Sequence, residues 1–178
     1  MLRRFLDRLY LASAVFAALC IAGICVVMLA QAFGRGAGIL FRGADDITGW
    51  LCAAAAFFAL GHTFRHGELV RVGLLLEQLG PRARWAAEAA ALTFSACFTA
   101  YMLWAIASYV YETWRAHYVT QGLLIIPEWI PQVSLVVGMA IFLTAVLDEL
   151  VAVLRGQKPA YQLAEEAKRA SGDFSESV

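Results

Sequence analysis

Four stretches of this chain run almost without charge over lengths suited to a lipid bilayer. Residues 9–33, 47–61 and 130–147 contain no Asp, Glu, Lys or Arg, and residues 86–111 contain Glu88 alone. A helix needs about 20 apolar residues to cross a hydrocarbon core about 30 Å thick, within a range of about 17–25. The second stretch reaches that length when it is counted over residues 46–64. The expected fold is therefore an all-α integral membrane protein with four transmembrane helices, over residues 9–33, 46–64, 86–111 and 130–147. A soluble fold is excluded by the same pattern. Hydrophobic residues make up 61% of the 178 positions, against about 45–50% in an ordinary soluble domain. Fourteen basic and fourteen acidic residues cancel, which leaves no cationic surplus to displace counterions from phosphates. The chain partners a lipid bilayer and no nucleic acid.

Arg3, Arg4 and Arg8 precede the first apolar run as in a signal peptide, and Ala30-Gln31-Ala32 resembles a cleavage site. The run exceeds the roughly 7–15 residues of a signal core, so it is expected to stay as an anchor. Basic residues then set the orientation. Arg3, Arg4, Arg8, Arg65, Arg71, Arg82, Arg84, Arg155 and Lys158 fall on one side of the membrane, and Arg35, Arg42 and Arg115 on the other. Nine against three places both termini in the cytoplasm. Trp50, Trp85, Trp114 and Trp129 sit near expected span ends, where indole rings favour the headgroup zone.

The connections differ in character. Gly34, Gly36, Gly38 and Gly43 loosen the first outer loop, which ends at Asp45-Asp46, and either carboxylate could cap helix 2. Between helices 2 and 3, Leu69, Val72, Leu75, Leu76 and Leu79 form one apolar stripe. A short amphipathic helix over residues 68–79 is expected there, lying along the interface or against a partner and ending at Gly80-Pro81. Pro127 and Pro131 bracket Glu128-Trp129-Ile130, the first interrupting a helix and the second suiting the first turn of helix 4. Residues 1–157 form the membrane domain, and residues 158–178 a polar cytoplasmic tail that is partly disordered.

Chemistry is hard to place on this chain. Cys20, Cys25, Cys52 and Cys97 all lie inside expected spans without a C-x-x-C pair, which suits small buried side chains. A disulfide oxidase would need cysteine pairs in the outer loops. His62 and His66 sit at one end of helix 2 and His117 beyond helix 3 at the opposite side, so no two imidazoles face one another at equal depth to hold a haem. No ionisable residue falls near a span centre: Glu88 sits at a boundary, and Asp148-Glu149 mark the end of helix 4. Ion-coupling sites inside membranes are built on such residues. No catalytic residue, metal site or cofactor is expected, and the chain is not read as an enzyme. The small residues Ala14, Ala18 and Ala22 of helix 1 and Gly49, Ala53 to Ala56, Ala59 and Gly61 of helix 2 favour close helix packing instead. The main alternative is a four-helix membrane redox protein, either a haem carrier or a disulfide oxidase. A stand-alone exporter or membrane-stress protein is a further one.

Four marks in order resemble the small membrane subunit of tripartite ATP-independent periplasmic (TRAP) transporters, the DctQ-like family. They are Gly43-Ala44-Asp45-Asp46, Ala59-Leu60-Gly61, the run from Arg65-His66-Gly67 to Arg71-Val72, and Ile126-Pro127-Glu128-Trp129-Ile130-Pro131-Gln132 with Gly138 following. The chain departs from the pattern at Leu69, where many members have histidine. The resemblance implies a scaffold subunit in the bacterial inner membrane. Its partners would be a large permease subunit, which couples sodium to import of a carboxylate or sulfonate, and a periplasmic substrate-binding protein. Asp45, Asp46, Arg65, Arg71, Leu75, Leu76, Pro127, Trp129 and Pro131 are the expected partner contacts.

Overall fold

The computed structural model describes residues 2–38, 42–65 and 80–156. It is all-helical. Helices α1 (Leu2–Gly36), α2 (Ala44–Arg65), α3 (Pro81–Arg115) and α4 (Trp129–Leu154) follow one another along the chain. Each contains a window apolar and long enough to cross a membrane, so the four expected spans are present. The interfacial helix over residues 68–79, with Arg71, Leu75 and Leu76, and the tail over residues 158–178 lie outside the described residues.

All four helices outrun the apolar stretches that marked them. At about 1.5 Å per residue, the 35 residues of α3 extend about 50 Å, well past the hydrocarbon thickness. Hydropathy marks only the part in hydrocarbon, while backbone hydrogen bonding continues into the headgroup zone. Pro81 is the first residue of α3, where its missing N–H is no loss; the segment it is expected to end lies outside the described residues. Asp148-Glu149, expected at the end of helix 4, lie within α4, which continues to Leu154.

The helices pack in the order α1–α2–α4–α3, and α1 touches α4 only slightly. Among the described residues, α3 packs substantially against α4 alone. Apolar burial drives little association between helices in lipid, so close backbone approach and polar pins must do it. Both occur between α2 and α4. A Cβ added at Gly138 would lie 2.7 Å from the Phe57 Cβ and 2.8 Å from its carbonyl carbon, and one at Gly61 would lie 3.1 Å from the Ile141 Cγ2. Pairing 57 with 138 and 61 with 141 makes α2 and α4 parallel. Ser13 of α1, buried, donates its hydroxyl hydrogen to the Phe58 carbonyl of α2. The Trp85 indole N–H of α3 reaches the Val153 carbonyl of α4 at 3.1 Å. A shared cluster gathers Tyr10, Phe64, Leu92, Ala96, Ile141 and Val146 from all four helices. It lies at the end where α1 begins and α4 finishes, the terminal end; the α1–α2 and α3–α4 connections form the loop end.

Helix α3 closes through a left-handed residue. His117 has φ 53°, the Tyr118 N–H bonds to the Thr113 carbonyl at 3.2 Å, and the His117 N–H to the Trp114 carbonyl at 3.3 Å. This 6→1 and 5→2 pair is the Schellman motif, whose left-handed position glycine fills most easily. The left-handed conformation costs a residue with a Cβ about 1–2 kcal/mol. His117→Gly is expected to raise the melting temperature of the detergent-solubilised protein by about 2–4 °C, the shift of roughly 1 kcal/mol at this chain length. A lower melting temperature would show that the imidazole has a structural role.

Candidate functional site

The loop end is where side chains from separate elements converge. Gly43, with φ 85°, precedes α2, and the helix begins at Ala44, so Asp45 and Asp46 stand in its first turn rather than at the cap. Asp46 turns to the opposite connection. Its Oδ2 accepts the Leu123 N–H at 2.9 Å and the Leu124 N–H at 3.3 Å. Gly122 leaves room for that carboxylate, because a Cβ would lie 2.4 Å from the same oxygen, and one at Gly43 would lie 2.4 Å from the Leu124 Cγ. Carboxylate, glycine and leucine thus fasten the α3–α4 connection to the N-terminus of α2.

The connection is itself ordered by short-range bonds. Val119 and Pro127 form an antiparallel bridge. The Thr120 N–H bonds to the Ile126 carbonyl at 2.9 Å, and the Glu128 N–H to the Tyr118 carbonyl at 3.1 Å. The Thr120 hydroxyl donates to the Leu124 carbonyl and accepts from the Ile126 N–H. Two clefts flank this loop. One of about 350 Å³ lies between α2, α4 and the connection, with Asp46, Trp50, Glu128, Pro131 and Gln132 among its lining residues. The other, about 300 Å³ and almost wholly apolar, lies between α3 and α4 beside Tyr111, Trp114 and Trp129.

The expected partner contacts therefore separate. Asp46 and Pro131 line the first cleft and Trp129 the second, while Pro127 is held in the β-bridge. Asp45 is exposed and, among the described residues, has only a long 3.4 Å contact from the Gln31 amide. Arg65 lies at the other end and is engaged within the chain. Its guanidinium pairs with Asp7 at 2.7 Å and sits 5.0 Å from the centre of the Tyr10 ring. Arg71, Leu75 and Leu76 lie outside the described residues.

Several of these residues gave no functional signal in the sequence. Thr120 and Gly122 are not among the expected contacts, and nothing local in the sequence links them to Asp46. Gln132 closes the fourth family-like mark but is not among the expected partner contacts. Glu149, expected to mark the end of helix 4, is 2% exposed. The hydroxyls of Thr93, Ser108, Ser134 and Thr144, polar groups inside spans, bond to carbonyls of their own helices, as expected for groups that need a local acceptor in hydrocarbon. His62, near the end of α2, and His117, past α3, lie at opposite ends of the helix row. They do not face one another as two axial ligands of a haem would. Among the described residues, no group of three or more His, Cys, Asp or Glu side chains comes together to hold a metal ion.

The family profile described as the DctQ component of tripartite ATP-independent periplasmic transporters matches residues 24–156. The chain belongs to the DctQ family. It is the small membrane component of a TRAP transporter, a multi-pass membrane protein with four candidate spans, and a transporter component rather than an enzyme. The match includes the Asp46 clamp, both clefts and the Gly61 and Gly138 contacts. It leaves out the first 23 residues, among them Asp7, Tyr10 and Ser13. No curated protein matches the DctQ chain.

Proposed function

We propose that this DctQ component is the scaffold subunit of a sodium-coupled TRAP importer of an organic acid, a carboxylate or sulfonate. It works beside a large permease subunit and receives, with it, a periplasmic substrate-binding protein. It resides in the bacterial inner membrane with both termini in the cytoplasm, and residues 68–79 form an interfacial helix that widens its footprint. The family match over residues 24–156 carries this reading. The distribution of polar groups supports it. The Thr93, Ser108, Ser134 and Thr144 hydroxyls bond within their own helices and Ser13 pins α1 to α2, an economy suited to a rigid support and not to a translocation path. The excess of arginine and lysine at the terminal end supports the orientation. By that orientation the loop end, with its fastened connection and two clefts, faces the periplasm.

Co-purification tests the reading. Membranes containing the whole transporter, solubilised in mild detergent, are expected to yield the tagged chain together with a much larger hydrophobic protein. Release of the chain as an isolated monomer from membranes that retain full uptake would overturn the scaffold role.

A further inference from the structure

Two exposed hydrogen-bond donors stand at the middle of a span. Residues 89–111 of α3 contain no Asp, Glu, Lys or Arg, so residue 100 marks the centre of the part in hydrocarbon. At about 1.5 Å per residue, Tyr101 lies about 1.5 Å and Trp104 about 6 Å from that centre, within a half-thickness of about 15 Å. The two residues are 60% and 66% exposed, and their rings pair at 6.1 Å between centroids. Among the described residues neither the Tyr101 hydroxyl nor the Trp104 indole N–H makes a hydrogen bond. The other exposed tryptophans and tyrosines, Trp85, Tyr109, Tyr111, Trp114 and Tyr118, lie toward the ends of α3 or just past it, where the headgroup zone supplies water and acceptors. Lipid tails supply none. Nor does Trp104 extend to the headgroups. Side chains of a helix lean toward its N-terminus, and α3 begins at the terminal end, so Trp104 leans back toward the centre. The face is also the one that α4 leaves free. Leu92, Ala96 and Thr99 are buried, on the one helix against which α3 packs substantially among the described residues. Phe94, Phe98 and Tyr101 each stand two residues further on, about 200° round the helix, and all three are exposed.

We propose that this face of α3 docks a transmembrane helix of the large permease subunit, which presents hydrogen-bond acceptors to Tyr101 and Trp104 at mid-bilayer depth. The proposal rests on the scaffold reading, which supplies a membrane partner. A soluble binding protein does not reach that depth. A second copy of the chain, packed about a two-fold axis, would bring the same face, so both sides would offer indole donors with tyrosine hydroxyls as the acceptors between them. Serine, threonine or asparagine side chains of a different helix, or a carbonyl freed where a helix breaks, accept both donors. Phe94 and Phe98 extend the contact toward the terminal end. The two bonds would fix the depth and rotation of the permease helix against α3, which apolar contact alone leaves free to slide.

The test measures binding of the chain to the purified permease in mild detergent. Tyr101→Phe and Trp104→Phe each remove one donor and keep an aromatic ring. Each is expected to weaken binding by about threefold, and the double variant by about tenfold, as for hydrogen bonds between helices in membranes. The melting temperature of the chain alone should hold or rise, since each change removes an unpaired donor from an apolar face. A photoreactive phenylalanine analogue in place of Phe98, activated in membranes that hold the whole transporter, should join the chain to the permease. Equal binding of the double variant and the wild type would overturn the docking face while leaving the scaffold reading in place. Lost binding together with a lower melting temperature of the chain alone would also overturn it, because the two groups would then hold the bundle itself. So would adducts from position 98 with lipid alone or with a second copy of the chain. Wild-type chain that binds no permease would overturn the scaffold reading itself.

Discussion

Gly138→Leu is expected to separate the helix row at its centre. The Cβ position at Gly138 is 2.7 Å from the Phe57 Cβ and 2.8 Å from its carbonyl carbon, so even the first atom of a side chain must displace backbone. Overpacking a tight interior costs about 1–3 kcal/mol and sometimes more, and an obstacle made of backbone belongs at the upper end. The position multiplies the effect. α2 and α4 join the outer helices α1 and α3, which have no other substantial route to one another. Helices in lipid also gain little from apolar burial that could offset a lost backbone approach. The melting temperature in mild detergent should fall by about 6–12 °C, given roughly 2–4 °C per kcal/mol at this chain length. The folded, monodisperse fraction should fall with it. Gly49→Leu is the matched control, because a Cβ there meets nothing within 4 Å and leucine is the better helix former. Similar losses in the two variants would mean that glycine itself, and not the α2–α4 contact, sets stability.

Gly138 also marks the limit of what the sequence makes legible. The four helices are visible because lipid imposes length and apolarity on every residue of a span, and a single chain displays both. Which helices touch is not visible, since Ala14, Ala18 and Ala22 and the alanines of helix 2 would serve any neighbour equally well. The order α1–α2–α4–α3 depends on a few positions, such as Phe57 against Gly138 and Ser13 against the Phe58 carbonyl. These pairs are distant in sequence and unremarkable in composition. Charge was read more accurately by presence than by destination. Arg65 stands in a run that resembles the family's, yet its guanidinium pairs with Asp7 inside the chain. Glu149 ends an apolar run in the sequence, yet it is buried within the fold. A charge at the edge of a run can face water or a second helix, and hydropathy along one chain does not distinguish the two. The same ambiguity separates Asp45 from Asp46.

Asp46→Ala is expected to release the α3–α4 connection, whereas Asp45→Ala is expected to change little. The two carboxylates are adjacent and equally charged, but only the Asp46 Oδ2 bonds to backbone N–H groups of the distant loop, at 2.9 Å and 3.3 Å. Hydrogen bonds to a charged group contribute about 1.5–3 kcal/mol each in favourable settings. The exposed Asp45 has a single 3.4 Å contact from the Gln31 amide, and exposed substitutions of that kind usually stay within about 0.5 kcal/mol. Alanine at position 46 leaves the Leu123 and Leu124 N–H groups to water and removes the charge against which Gly122 is fitted. Amide exchange over residues 120–126 should accelerate by about tenfold or more, since a loss of roughly 1.4 kcal/mol in local stability is one decade in the opening equilibrium. Asp46→Asn keeps one acceptor oxygen without the charge and should fall between wild type and alanine. The packing of α1 on α2, which does not involve the connection, should be unaffected. Identical exchange profiles for Asp45→Ala and Asp46→Ala would show that the loop is held by its own internal bonds, the Val119–Pro127 bridge and the Thr120 hydroxyl, and that the clamp to α2 contributes nothing to its order.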